Sequence, residues 1–164
     1  MTRRAWMVGA ALAMLGATAG AKEAPAPTIH VMRHLDTPEG ERDPDLTPTG
    51  QARAAALVRW FRGKPLAAIY VTGFRRTQQS IAALAAKRRL TPIVYGPAPS
   101  AEFIAGLRTA KGAVLVVGHS NTVPDIVAGV GGRRPAPLVH ADFGDLWTVR
   151  AGKTEHARLG DPAK

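Results

Sequence analysis

Three short stretches of the chain bring together residue types that handle phosphate. Arg33-His34 follows an apolar run. Thr72-Gly73 leads into Arg75-Arg76-Thr77. Gly118-His119-Ser120-Asn121 follows the most apolar run in the chain. Arginine presents a planar, permanently charged fork of donors matched to phosphate oxygens. A neutral imidazole can attack phosphorus and carry the group covalently. Neighbouring guanidinium charges disfavour imidazolium, so they keep such a nucleophile unprotonated near neutral pH. The helix expected after Asn121 would offer free N–H groups to an anion. Phosphoryl transfer needs mainly positioning and charge neutralisation, and this set supplies both without a metal.

Blander readings apply to the same residues taken singly. His30, His140 and His156 read as hydrogen-bonded structural histidines. Gly118 alone reads as a turn glycine, and one arginine at a helix start as a surface charge. A metal site is the other sharp reading, with histidines joined by Asp36, Glu39, Asp43 or Asp45. No H-E-x-x-H spacing is present, and Arg33 would repel a cation, so neither metal nor cofactor is expected.

The elements needed to position these residues can be read from hydrophobic runs and turn signals. Strands are expected over Thr28–Met32, Leu66–Val71, Ile93–Tyr95, Ala113–Val117 and Leu146–Val149, with an edge strand in the tail after Arg150. Helices are expected from Thr47, as cap with Pro48 in the first turn, and over Arg75–Lys87, Ala101–Arg108 and Val123–Val130. This alternation predicts an α/β fold, an open and mostly parallel sheet with helices on both faces, in a single domain. Such sheets bind ligands at the carboxyl ends of their strands, where the three stretches would meet.

The remaining features bound the setting. The chain has 164 residues, of which 46% are hydrophobic and 21% charged, as in a globular domain. Thr2-Arg3-Arg4, the apolar run Ala5–Ala19 and the A-x-A patterns before Lys22 read as a signal peptide over residues 1–21. An uncleaved anchor is the alternative, although the run is short for a membrane span. Residues 22–27 form a lead-in and 28–164 the functional domain. A periplasmic or secreted location follows, with no stable membrane insertion after cleavage. The sequence contains no cysteine, which excludes disulfides, thiolate metal sites and a cysteine nucleophile. The formal charge of +10 is spread along the chain with few aromatics, so nucleic acid is not an expected partner.

Four segments resemble the histidine phosphatase superfamily, also called phosphoglycerate mutase-like. Val31-Met32-Arg33-His34-Leu35 is similar to its R-H-G motif, and Leu46-Thr47-Pro48-Thr49-Gly50-Gln51-Ala52 to its L-T-x-x-G-x-x-Q-A helix start. Ile69 to Ser80 resembles S-x-x-x-R-x-x-Q-T, and Val116 to Asn121 the second-histidine motif. The resemblance implies a phosphohistidine intermediate on His34. Arg33, Arg76 and His119 would hold the phosphoryl group, with Ser120 at the substrate. Arg75 competes with Arg76, and the spacing to Thr77 and Gln79 favours Arg76.

Two departures stand out. Leu35 replaces the usual small residue, and His119-Ser120 replaces the phytase-like His-Asp pair. The general acid is therefore open between Asp36, first, then Glu102 and Asp145. The expected substrate is a phosphorylated small molecule or a phosphoprotein, phosphohistidine included. A non-catalytic anion-binding module of the same fold is the alternative. Oligomeric state is not legible.

Overall fold

The computed structural model of the protein describes residues 25–160. The expected signal peptide, residues 1–21, lies outside them. The described residues form one α/β domain around a six-stranded sheet. In chain order the strands are β1 (Thr28–Arg33), β2 (Ala68–Val71), β3 (Ile93–Val94), β4 (Ala113–Gly118), β5 (Asp145–Arg150) and β6 (Lys153–Arg158). The helices are α1 (Pro48–Trp60), α2 (Arg75–Arg88), α3 (Ala101–Arg108) and α4 (Val123–Gly129).

The spatial order is β3-β2-β4-β1-β5-β6. β3, β2, β4 and β1 are mutually parallel, and β5 runs antiparallel to β1. The central strands β1 and β4 are buried almost throughout, which explains their unbroken apolar sequence. Alternate side chains of each strand serve opposite faces. Met32, Leu115, Val117 and Leu146 pack with Leu57 of α1 and Leu84 of α2 on one face. Val31, Val114, Val116 and Val149 pack with Leu107 of α3 and Ile126 of α4 on the other.

Local chemistry sets the helix starts. Thr47 caps α1 by accepting from the Gly50 N–H at 3.1 Å, with Pro48 in the first turn. Gly50 has a second reason to be glycine. A Cβ there would stand 2.5 Å from the Asp36 carbonyl oxygen, so the missing side chain lets α1 close on the segment after β1. Elements differ from expectation mainly at their ends. β2 begins at Ala68, two residues later than expected. β3 has only two residues and lies exposed at the sheet edge.

Candidate active site

Register places the three polar stretches side by side. Arg33 pairs with Gly118 across β1 and β4, and the His34 N–H donates to the Gly118 carbonyl at 2.9 Å. β2 lies on the other side of β4, with Tyr70 paired to Val116, so Thr72 arrives level with Gly118. Gly118 is more than a turn glycine: a Cβ would come within 2.9 Å of the Thr122 hydroxyl and 3.2 Å of the Tyr95 hydroxyl.

His34 and His119 are both buried, with ring centroids 5.5 Å apart. His34 Nδ1 lies 2.9 Å from the Leu35 carbonyl oxygen. A carbonyl only accepts, so in the neutral ring Nδ1 carries the proton and Nε2 keeps its lone pair. Burial, reinforced by the charges of Arg33, His119 and Arg76, holds the His34 pKa down at about 3, against the opposing bond to Leu35. Its ring is therefore neutral across the physiological range.

His119 has the other tautomer. Arg76 Nη2 approaches its Nδ1 at 3.4 Å, and a guanidinium only donates. Nδ1 accepts, which leaves the proton on Nε2, 3.0 Å from the Thr72 hydroxyl. Thr72 lies 3.1 Å from the Thr77 hydroxyl, and Thr77 donates to the Thr72 and Phe74 carbonyls. Every link of this chain runs from donor to acceptor, and those from His119 through Thr72 to Thr77 are buried. Burial, then Arg76 and Arg33, lowers the His119 pKa to about 4, with Asp43 pulling the other way.

The arginine pair at the start of α2 divides. Arg76 is largely buried and meets His119, the Arg42 carbonyl and Asp43. Arg75 is exposed and pairs with Asp45 at 2.5 Å. The α-helical turn at this point sends adjacent residues to different faces, so only one of the two can reach the crevice.

Arg33 is arranged differently from the expectation of a free phosphate fork. Its Nη1 donates to the carbonyls of Val139, His140 and Asp142 at 2.8, 3.0 and 3.2 Å. Its guanidinium carbon lies 4.0 Å from the centre of the Phe143 ring, and its Nε is buried without a partner among the described residues. Arg33 thus fastens the segment 139–143 beside His34, whose ring lies 5.7 Å from Phe143.

The carboxyl candidates are placed in three separate settings. Asp36 Oδ1 is held by Arg53 at 2.5 Å, and its Oδ2 is buried with no partner. Glu102 lies exposed in the first turn of α3, where the bond to Ser100 and the adjoining backbone lowers its pKa. Asp145 opens β5 and pairs with His156 at 2.8 Å. Ser120 is half-buried in the turn between β4 and α4.

The start of α4 corrects one expectation. Its first N–H groups are already used: Thr122 and Val123 both donate to the His119 carbonyl at 3.0 Å, and Pro124 has none. This short helix holds the backbone of His119 instead of presenting free donors to an anion.

Sequence reasoning placed Thr72 and Thr77 at the site without a role, missed Phe143, and saw Asp43 only as a conceivable metal ligand. Asp43 accepts from the Arg75 N–H and from Arg76, which ties the loop after β1 to the start of α2. The polar pair Thr72 and Thr77, flanking Arg76, was the available signal. Among the described residues no group of His, Asp and Glu is arranged to hold a metal ion.

The family model described as Histidine phosphatase superfamily (branch 1) matches residues 29–97, the span that carries His34, the capped start of α1 and Arg76. Over that span the chain is similar to the histidine phosphatase superfamily. Solved structures of similar fold extend the likeness over the rest of the domain. Protein histidine phosphatase SixA complexed with tungstate is 19% identical, with 79% of this chain and 94% of that one covered at a TM-score of 0.60. A mycobacterial glucosyl-3-phosphoglycerate phosphatase complexed with VO3 is 12% identical, covering 84% and 100% at 0.63. Bacillus stearothermophilus YhfR is 16% identical, covering 84% and 98% at 0.57. At these identities the likeness is one of fold. No curated protein matches the chain in sequence. The match to this superfamily supports phosphatase activity in general.

Proposed function

We propose that the chain is a metal-independent phosphatase that works through a phosphohistidine on His34. The observation that carries this is the bond from His34 Nδ1 to the Leu35 carbonyl, which leaves Nε2 as a basic, unprotonated nitrogen beside Arg76 and His119. In the first step Nε2 forms a bond to phosphorus, and the bond from phosphorus to the leaving atom breaks. The leaving atom takes the electron pair and a proton from solvent water, which is returned when water adds in the second step. In the second step water adds to phosphorus and the P–Nε2 bond breaks, returning neutral His34. Arg76, held beside His119, lies where oxyanion charge is to be neutralised.

The carboxyl settings favour a leaving group that needs little protonation. Asp36 is already paired with Arg53, and Asp145 with His156. Phosphohistidine in a protein fits this requirement, as does an aryl ester, whereas an alkyl ester would not. SixA, whose fold this chain shares, is a protein histidine phosphatase. We place the enzyme in the periplasm or outside the cell on the N-terminal sequence pattern.

The test is a panel of protein phosphohistidine, an aryl phosphate and an alkyl phosphate, each with and without chelator. Turnover of the first two above the third, unchanged by chelator, is expected. Activity restored only by an added divalent ion would refute metal independence. Phosphate binding without turnover of any substrate would mark a non-catalytic anion-binding module.

A further inference from the structure

Ten of the eighteen lysines and arginines among the described residues gather toward one end of the strand axis. β1, β2 and β4 begin at one pole of the sheet and end at the other, where the histidines lie. Each helix returns antiparallel to the strands, so α1, α2 and α3 end at the pole where the strands begin. Arg59, Arg62 and Lys64 close α1 and the turn after it. Lys87, Arg88 and Arg89 close α2, and Arg108 and Lys111 close α3. Antiparallel β5 adds Arg150, which is in register with both Thr28 and Lys153.

All ten cations are exposed except half-buried Arg88, which donates to the Phe61 and Lys64 carbonyls. Glu155, opposite Thr148, is the one nearby carboxylate among the described residues. The other described acids lie in the loop after β1, at the starts of α3 and α4, and around the start of β5.

Helix dipoles explain only part of this. Arg59, Lys87, Arg88 and Arg108 complement the negative ends of their helices. Arg62, Lys64, Lys111, Arg150 and Lys153 lie outside any helix and have no ion-pair partner among the described residues. Crowding like charges destabilises a compact fold unless an opposite charge is brought to them. A cleft of about 400 Å³ opens on the same pole, lined by Thr28, Thr148, Arg150, Lys153 and Glu155. It has hydroxyl and cationic groups suited to a phosphate headgroup.

Two observations select a lipid surface among anionic partners. The chain enters the fold at this pole, and only residues 20–27 separate Thr28 from the apolar run Ala5–Ala19. Fully extended, eight residues reach at most about 28 Å. While that run is attached, a membrane that takes it up lies within reach of this pole. Half-buried Trp60 carries Lys64 over its ring at 3.2 Å, an aromatic and cation pairing suited to headgroup depth.

We propose that this basic pole is a docking surface for an anionic phospholipid bilayer, with the catalytic crevice at the opposite pole facing water. The full chain is sedimented with vesicles of phosphatidylcholine alone and of phosphatidylcholine mixed with phosphatidylglycerol. The apolar run acts on both and Arg3 and Arg4 beside it favour the anionic vesicles, so the loss on reversing charges within the pole is what reads the pole. Each basic residue near an anionic surface contributes about fivefold to partitioning. Reversing three exposed charges together (R62E, K111E, K153E) should therefore cut the preference for anionic vesicles by more than about tenfold. The preference should also fall with salt. R158E, at the other end of β6 from Lys153 and in register with Asp145, should keep it, and all variants should keep the parent's thermal midpoint. Equal partitioning to both vesicles would overturn the proposal, as would a triple variant that keeps its preference. Tight binding to duplex DNA without a preference for anionic vesicles would assign the pole to nucleic acid instead.

Discussion

Arg76 Nη2 approaches Nδ1 of His119 at 3.4 Å, while Arg75, one residue earlier, turns outward to Asp45. The contact fixes two things together. It places one guanidinium beside both histidines, and it commits His119 to carrying its proton on Nε2, toward Thr72. The crevice therefore holds two histidines of opposite tautomer, one bonded to a carbonyl and the other to a hydroxyl chain.

Arg76→Ala should lower turnover by about a hundredfold or more, the usual cost of losing one charge-neutralising donor. Arg75→Ala should change it little, because its partner Asp45 is exposed and such surface pairs contribute little. Steady-state kinetics of the two variants decides. A larger loss in Arg75→Ala would show that the wrong residue of the pair has been assigned to the phosphoryl group.

Much of this site was legible because parallel strands deliver their C-terminal residues to one edge, and apolar runs mark where those strands end. That logic located His34, His119 and the start of α2. It placed Arg33 at the same edge as a phosphate ligand but not its bonding, because its partners are carbonyls of the irregular segment 139–142, more than a hundred residues away, whose path no periodicity specifies. Asp36 escaped for a similar reason. Its closeness to His34 in sequence suggested an acid, yet tertiary packing brings Arg53 of α1 to it. The Thr72 and Thr77 hydroxyls were readable as polar residues but not as a relay, since that requires the turn between β2 and α2 in three dimensions.

Gly50→Ala tests how tightly α1 closes on the segment that follows the nucleophile. The new Cβ would meet backbone, the Asp36 carbonyl oxygen at 2.5 Å and the Asp36 nitrogen at 3.1 Å, neither of which can rotate away. The helix would have to shift, at a cost of about 1–3 kcal/mol, the typical range for overpacking. Denaturant unfolding should show a lower midpoint with an unchanged slope. Because His34 lies two residues before Asp36, turnover should fall as well. A variant of wild-type stability would mean that the segment is looser than its contacts imply.

The pH dependence follows from the two buried histidines. His34 is held down at about 3 and His119 at about 4, so both favour the neutral form in the folded protein. An unfolded histidine takes up a proton near its ordinary value of about 6.5. Between that value and the folded values the unfolded state binds more protons, so stability falls as pH is lowered through this window. The nucleophile itself stays unprotonated throughout. Ring resonances of His34 and His119, followed by NMR from about pH 8 to pH 5, should not titrate. A midpoint for His34 near the ordinary histidine value of about 6.5 would contradict the burial argument.

The covalent intermediate is the most direct consequence of the geometry. His34 Nε2 has its lone pair free, and its ring is neutral. Ser120 is the nearest hydroxyl rival in sequence, beside His119. A serine needs a base to accept its proton, yet both ring nitrogens of His119 are already engaged, Nδ1 by Arg76 and Nε2 by Thr72. Attack by Ser120 would require that arrangement to open first, whereas attack by His34 requires no rearrangement of its own bonds. The two routes leave different chemistry behind. A phosphorus–nitrogen bond is labile in acid and survives base, and a phosphoserine ester behaves the opposite way. Rapid quenching with labelled substrate should trap acid-labile label on the protein. His34→Ala should abolish both label and turnover. His119→Ala should slow labelling without moving it to another residue. Acid-stable label on Ser120 would overturn the assignment of the nucleophile.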